Sequence, residues 1–270
     1  MDISIVIPCY NHGHFIQDAI NSVECLTGVD YEIIIVNDGS TDAFTVQKLN
    51  ELNQKGYNII SHSNKGLAYS RNIGIQSSRG KYILPLDADN KIDPAYIYKA
   101  IKILEEGLAD IVYAKPIFFG ELDIIRCFET KSFNQSELFH SNFIDACAIF
   151  LKSVWQSVGG YDEKMPIQGH EDWEFWIHAA IKGVKFHFID EELYFYRIVK
   201  GSMIEISLPI NSKKINHIYI INKHYDAFLA VFRDCIVDSQ IFKKDQNKPF
   251  RSMIKYFYNW VLPNSYKYLR

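Results

Sequence analysis

The sequence predicts an α/β protein: a mostly parallel sheet flanked by helices, with a C-terminal helical extension. Three observations carry this. Short runs rich in Ile, Val, Leu and Tyr alternate with segments whose apolar residues recur every three or four positions. Each β-like run ends in a polar, turn-forming cluster. Residues 211–270 read as helices with basic and aromatic faces.

The first strand is expected over Ile3–Ile7, followed by a helix whose apolar face is Phe15, Ala19, Ile20 and Val23. A second strand, Glu32–Val36, precedes a helix marked by Phe44, Leu49 and Leu52. A third, Tyr57–Ser61, leads into Leu67, Ile73 and Ile75. The fourth, Tyr82–Leu86, precedes a helix starting near Pro94 that carries Ile97, Ala100, Ile101 and Leu104, and Asp93 suits its cap. Asp110–Tyr113 is the fifth. Alternation at this spacing implies right-handed crossovers and parallel neighbours.

Beyond about residue 115 the pattern loosens. A strand is expected over Ala146–Leu151, a turn at Gly159-Gly160 and a helix from Asp172 to about Ile181. Two strand-like runs follow, Lys185–Ile189 and Tyr194–Arg197. The domain reading is one α/β unit over residues 1–205, in halves of about 1–115 and 116–205, then a basic helical extension over 206–270.

Charge and cysteine usage narrow the class. From residue 210 onward 11 Lys/Arg face 4 Asp, a balance of +7, while the remaining 18 basic and 28 acidic residues give −10. An acidic body with a basic tail does not suit nucleic acid; it fits a tail that touches an anionic surface or a partner, or a solvated lysine-rich face. The five cysteines are scattered without a CxxC pair, which disfavours a disulfide framework or a zinc site. The N-terminus carries Asp2 and too short an apolar run for a signal peptide, and no stretch is long enough to span a bilayer. A cytoplasmic chain beginning near Met1 is expected, peripheral at the inner membrane face if the tail binds it.

In a parallel sheet, ligands sit at the carboxyl ends of the strands. Those ends here are Pro8-Cys9-Tyr10-Asn11, Asn37-Asp38-Gly39-Ser40-Thr41-Asp42, His62-Ser63-Asn64-Lys65-Gly66 and Asp87-Ala88-Asp89-Asn90. On extended backbone Asp87 and Asp89 point to the same side, where two carboxylates repel unless a cation intervenes. Mg²⁺ or Mn²⁺ suits such hard oxygen donors and leaves positions for a diphosphate. The competing reading is a plain helix cap. Asp38 ends the second strand and can accept from a nucleobase N–H or a ribose hydroxyl; the alternative is an Asx turn, although Thr41 or Asp42 can cap that helix instead. No GxGxxG or GxxxxGK[ST] loop occurs, which counts against dinucleotide redox chemistry and P-loop phosphate handling.

Six ordered motifs carry a resemblance: "SIVIPCYN", "VNDGSTD", "NKGLAYSRNIGI" with "GKYILPLDAD", "VGGYDEKM", "GHEDWEFW" and "YRIVKGSM". Together they resemble the family 2 glycosyltransferases, inverting enzymes with the Rossmann-like GT-A fold, over about residues 3–203. The resemblance implies a nucleotide-diphosphate sugar, expected to be a UDP-sugar, in the N-terminal half. A glycan or lipid-linked acceptor would occupy the C-terminal half. It implies base contact for Asp38, ribose or metal contact for Asp87 and metal coordination for Asp89. Pro8, Tyr10, Asn11, Asn64, Lys65 and Arg71 would complete the donor site. Asp172 would be the general base, with Glu171 beside it binding the acceptor; a helix start favours an ionised Asp172, and a plain cap is the alternative. Val199 stands where the family often has a histidine that ligates metal or diphosphate, leaving Arg197 and Lys200 to neutralise the leaving group.

The implied activity is hexosyl or N-acetylhexosaminyl transfer in polysaccharide or glycoconjugate biosynthesis. The competing readings are a degenerate nucleotide-sugar-binding scaffold and a nucleotidyltransferase, the latter disfavoured because "IPCYNHGHFIQ" has no Arg or Lys. The basic C-terminal helices are expected to meet a membrane surface or pair two copies.

Overall fold

A computed structural model describes residues 1–121, 128–199 and 210–233. The chain divides into two compact units, Met1–Lys223 and His224–Arg270; in the second, residues 225–233 are helical. No helix among the described residues is long and apolar enough to cross a membrane.

The first unit alternates as its hydrophobic periodicity requires. β1 (Ile3–Cys9), α1 (Ile16–Glu24), β2 (Tyr31–Asp38), α2 (Ala43–Gln54) and β3 (Asn58–His62) come first. α3 (Leu67–Ser77), β4 (Tyr82–Pro85), β5 (Lys91–Ile92), α4 (Pro94–Glu105) and β6 (Ile111–Gly120) follow. The second half adds α5 (Gln135–His140), β7 (Ile149–Leu151), α6 (Lys152–Val158), α7 (Glu171–Ile181), β8 (Phe186–Ile198) and α8 (Ile210–Lys223).

The eight described strands form one sheet in the order β3-β2-β1-β4-β7-β6-β8-β5. Pairings β1–β2, β1–β4, β2–β3 and β6–β8 are parallel, whereas β7 runs antiparallel to β4 and β6, and β5 antiparallel to β8. Helices cover both faces, so β1 is buried along its whole length. Each buried Ile of that strand contributes about 1.5–3 kcal/mol. Ser4, the one hydroxyl in the run, is satisfied by donating to Glu32 Oε1 at 2.6 Å and accepting from Gly80 N at 2.8 Å.

The expected caps are present. Asp93 accepts from Ala95 N at 2.8 Å, and Asp42 from Thr45 N at 2.8 Å. Two departures have local causes. Lys185–Ile189 and Tyr194–Arg197 are one strand, because the exposed acidic run Asp190–Glu192 is absorbed by register shifts opposite Lys115 and Pro116. For the same reason β6 continues past Pro116, which lies at the irregularity where a missing N–H is tolerated. α8 belongs to the first unit, and its Asn216 bonds the loop before α7.

Candidate active site

The β1–β4 ladder runs from Ile3/Tyr82 to Val6/Pro85, with one further bond from Leu86 N to Val6 O at 2.9 Å. Beyond it the strands part. β2 and β3 lie on one side of β1 and β4 on the other, so this is a topological switch point, where α/β sheets bind ligands. His12, after β1, and Asp89, after β4, stand opposite each other with Nδ1 and Oδ2 4.0 Å apart.

Arg197 holds the acidic turn. Its backbone N donates to Asn90 Oδ1 at 2.9 Å, its Nε to Asp89 O at 2.8 Å and its Nη2 to Asp18 Oδ2 at 2.6 Å. Phe15 and Phe119 flank the guanidinium at 4.7 and 4.3 Å. A cation so engaged positions the turn, which departs from its expected role of neutralising a leaving group. Lys200, its expected companion, lies outside the described residues. Burial, and then the neighbouring Asp87, push the Asp89 carboxyl up to about 6, against His12 and Arg197.

A second bracket reaches from α3. Arg71 is 1% exposed, with Nη2 donating to Asp87 Oδ1 at 2.9 Å and Nη1 to Glu171 Oε1 at 3.1 Å. Glu171 Oε2 accepts from Gly169 N at 2.8 Å. Each Glu171 oxygen thus accepts one bond from the protein, and the side chain is only 5% exposed. Arg71 likewise ties the acidic turn to α7 and does not present its terminal nitrogens to a ribose or phosphate.

Asp172 is the second residue of α7, and His170 occupies the cap position, so Asp172 is not a plain cap. Its Oδ2 accepts from Asn142 Nδ2 at 2.8 Å. Burial, then Glu171, raise its pKa to about 7, although Arg71 opposes them. The helix dipole was expected to favour the ionised form; desolvation outweighs it. A carboxylate poised near neutrality suits general-base chemistry.

Asp145 is a further carboxylate here, absent from the sequence expectations. It accepts from Cys147 N at 2.9 Å, and burial followed by Asp87 pushes it up to about 7, with Asp172 adding to the rise. Its signal was a lone Asp immediately before the apolar run Ala146–Leu151. Asp87, Asp145, Glu171 and Asp172 all act on Arg71 or are acted on by it, so they form one electrostatic cluster.

The other residues expected at the donor site occupy the adjoining strand ends. Asp38 is buried; its carboxylate accepts from Lys65 N at 2.7 Å and Gly66 N at 3.0 Å, and His62 Nδ1 lies 3.4 Å away. It fixes the start of α3 rather than capping α2. Asn64 and Lys65 are exposed, and Lys65 Nζ stands 4.3 Å over the Tyr69 ring. Gly39, at φ +67°, lets the turn after β2 approach this loop; a Cβ there would lie 2.5 Å from Asn64 N. Asn11 adopts φ 57°, and its Oδ1 accepts from Thr41 N at 2.8 Å and Asp42 N at 2.9 Å, clipping the ends of β1 and β2 together. Pro8 is buried beside it and Tyr10 is 44% exposed.

Residues 4–151, over half the chain, match the family described as Glycosyl transferase family 2. The chain belongs to that family. Over 227 residues it is 28% identical to the chondroitin synthase of Pasteurella multocida (strain Pm70), covering 82% of this chain and 23% of that protein. It is also 28% identical over 233 residues to an uncharacterized glycosyltransferase of Methanocaldococcus jannaschii, covering 83% of this chain and 79% of the relative. The family 2 chain thus spans about a quarter of the synthase. Among solved structures, S. aureus TarS 1–349 in complex with UDP-GlcNAc aligns with a TM-score of 0.64 at 17% identity, over 80% of this chain and 64% of that one. That likeness shows the GT-A fold.

A divalent cation fits the acidic turn of this family member on the chemistry of its donors. Asp89 is a hard oxygen ligand whose negative charge is opposed by burial and by Asp87, so a cation beside it relieves both. Asp87 Oδ1 is taken by Arg71, which leaves Asp89 as the more available ligand. Among the described residues, Cys9, Cys25 and Cys147 are free.

Proposed function

We propose that the chain is an inverting, metal-dependent glycosyltransferase that moves a sugar from a UDP-sugar to a hydroxyl of a glycan or lipid-linked acceptor, in polysaccharide or glycoconjugate biosynthesis. The observation that carries the reading is the Asp87–Arg71–Glu171 bracket: it ties the acidic turn at the donor-side strand ends to the helix that presents Asp172.

In this reading Asp172 takes the proton from the acceptor hydroxyl as its oxygen attacks the anomeric carbon from the face opposite the leaving diphosphate, and the configuration inverts. Asp145, whose carboxyl feels both Asp87 and Asp172, is available to orient the acceptor. Pro8, Tyr10, Asn11, Asn64 and Lys65 border the donor, Asp38 sets the Asn64–Gly66 loop, and Asp87 and Asp89 form the metal turn. The cation, Mn²⁺ or Mg²⁺, supplies Lewis-acid stabilisation of the departing diphosphate. Arg71 and Arg197 position the turn. The UDP-GlcNAc named with TarS supports a nucleotide-sugar donor, and the Pasteurella multocida synthase supports a polysaccharide product.

The deciding experiment incubates the chain with UDP-sugars, glycan acceptors and Mn²⁺, and reads the anomeric configuration of the product by NMR. Transfer with inversion, lost on chelation and restored by Mn²⁺, is expected; a retained configuration sinks the mechanism. The basic C-terminal helices belong to this reading as a membrane contact or a dimer surface at the cytoplasmic face. Flotation with anionic liposomes and sedimentation velocity separate those two.

A further inference from the structure

We propose that His12 is a protein ligand of the divalent cation held by Asp89, a step that rests on the metal-dependent reading above. The two donors come from opposite sides of the switch point, His12 after β1 and Asp89 after β4. Two ligands each about 2.1 Å from one ion lie about 3.0 Å apart when adjacent and about 4.2 Å apart when opposite. His12 Nδ1 and Asp89 Oδ2 are 4.0 Å apart, inside that span. Without the ion the pair is too distant for a hydrogen bond.

Both donors are accessible. The His12 side chain is 47% exposed and that of Asp89 is 18% exposed, and the imidazole rests edge-on against Phe15 at 6.0 Å. The backbone that carries the imidazole is also held in place. Asn11 immediately before it is locked at φ 57° by the amides of Thr41 and Asp42, while the His12 carbonyl accepts from Phe15 N at 3.0 Å and Ile16 N at 3.2 Å.

Asp87 keeps only Oδ2 for a cation. Arg71 occupies Asp87 Oδ1, and Val199, two residues beyond Arg197, carries no ligand atom. The nitrogen ligand is thus supplied from the first strand end. An imidazole in the set also favours a first-row transition ion over Mg²⁺.

The test titrates Mn²⁺ alone, then Mn²⁺ with UDP, into the full chain and records electron spin-echo modulation of the bound ion. Wild type is expected to show coupling from a directly bound ¹⁴N nucleus. His12→Ala should abolish that coupling and weaken Mn²⁺ by at least about tenfold, with a smaller loss for Mg²⁺. His14→Ala, whose ring stacks on Phe44 at 4.0 Å, should change neither reading. His12→Gln with a wild-type melting temperature guards against loss by misfolding. Coupling that persists in both His12 variants, or is missing from a wild type that binds Mn²⁺, overturns the assignment. A wild type that binds no Mn²⁺ even with UDP overturns the metal-dependent reading itself.

Discussion

Arg71 Nη1 donates to Glu171 Oε1 at 3.1 Å, joining residues 100 positions apart in a buried ion pair. The same guanidinium holds Asp87, so its removal strands one carboxylate at 5% side-chain exposure and another at 31%. Losing one partner of such a buried network costs about 3–5 kcal/mol. Arg71→Ala should therefore lower the unfolding free energy by that amount in urea titrations. Glu171→Gln, which leaves the Asp87 pair intact, should cost less. Equal losses would mean that the Asp87 arm of the bracket contributes nothing to stability.

Asp172 makes two pH predictions. As a base with a pKa near 7 it must be deprotonated to act, so kcat should rise as pH increases through about 7 and level off above it. Asp172→Asn should lower kcat by about 10²–10⁴-fold at pH 8 while keeping the Asn142 hydrogen bond through its amide oxygen. The stability effect has the opposite sense. Because the folded pKa is raised above the usual carboxylate value, the native state binds the proton more tightly, and wild-type stability falls as pH rises from about 4 to about 7. The Asn variant lacks that fall, so it should gain on wild type over the same range and hold the gain above pH 7. A flat difference between pH 4 and 8 in thermal melts would refute the raised pKa.

The cation makes a separate prediction. Asp89→Asn removes the more available ligand, and a metal worth several kcal/mol of transition-state stabilisation implies a loss of at least about 10²-fold in kcat. Isothermal titration should show Mn²⁺ binding lost in that variant but retained in Asp172→Asn. Mn²⁺ bound equally by the Asp89 variant would move the metal elsewhere.

The strand ends at the switch point were legible because their signals are local. A buried parallel strand is a short apolar run, its carboxyl end is polar, and Asp93 and Asp42 cap helices from the positions their sequence predicts. The second half was less legible because its order depends on contacts remote in sequence. No local pattern announces that Arg71 will leave a donor role to bracket Asp87 and Glu171, or that Arg197 will pin the backbone of Asp89 from 108 residues away. Asp145 shows only a break before an apolar run. Its importance comes from burial beside Asp87 and Asp172, which needs the fold to exist first.

Gly74 tests the close packing of α3 on β1 and β2. A Cβ there would meet Val6 Cγ1 and lie 3.0 Å from Val36 Cγ2, both on strands buried at the centre of the sheet. Alanine improves helix propensity by about 1 kcal/mol, but overpacking against fixed β-branched side chains costs about 1–3 kcal/mol. Gly74→Ala should therefore be neutral to about 2 kcal/mol destabilising in urea titrations. A clearly more stable variant would show that α3 can lift from β1 and β2 without cost.

Asn216 on α8 tests how the loop before α7 is held. It is fully buried; its Oδ1 accepts from Ile167 N at 3.2 Å, and its Nδ2 donates to Ile167 O at 2.7 Å and sits 3.1 Å from His170 Nδ1. Those contacts fix the loop that ends at Glu171 and Asp172. Asn216→Ala leaves both polar groups of the Ile167 backbone without this partner, which costs about 1–3 kcal/mol. The base would also lose its placement, and displacement on the ångström scale reduces kcat by about ten- to hundredfold. The strand ends after β1, β2 and β4 are untouched, so UDP affinity should hold. A variant that loses UDP binding and kcat together would instead point to general unfolding of the domain, a result that melting curves collected with and without UDP distinguish from a displaced helix.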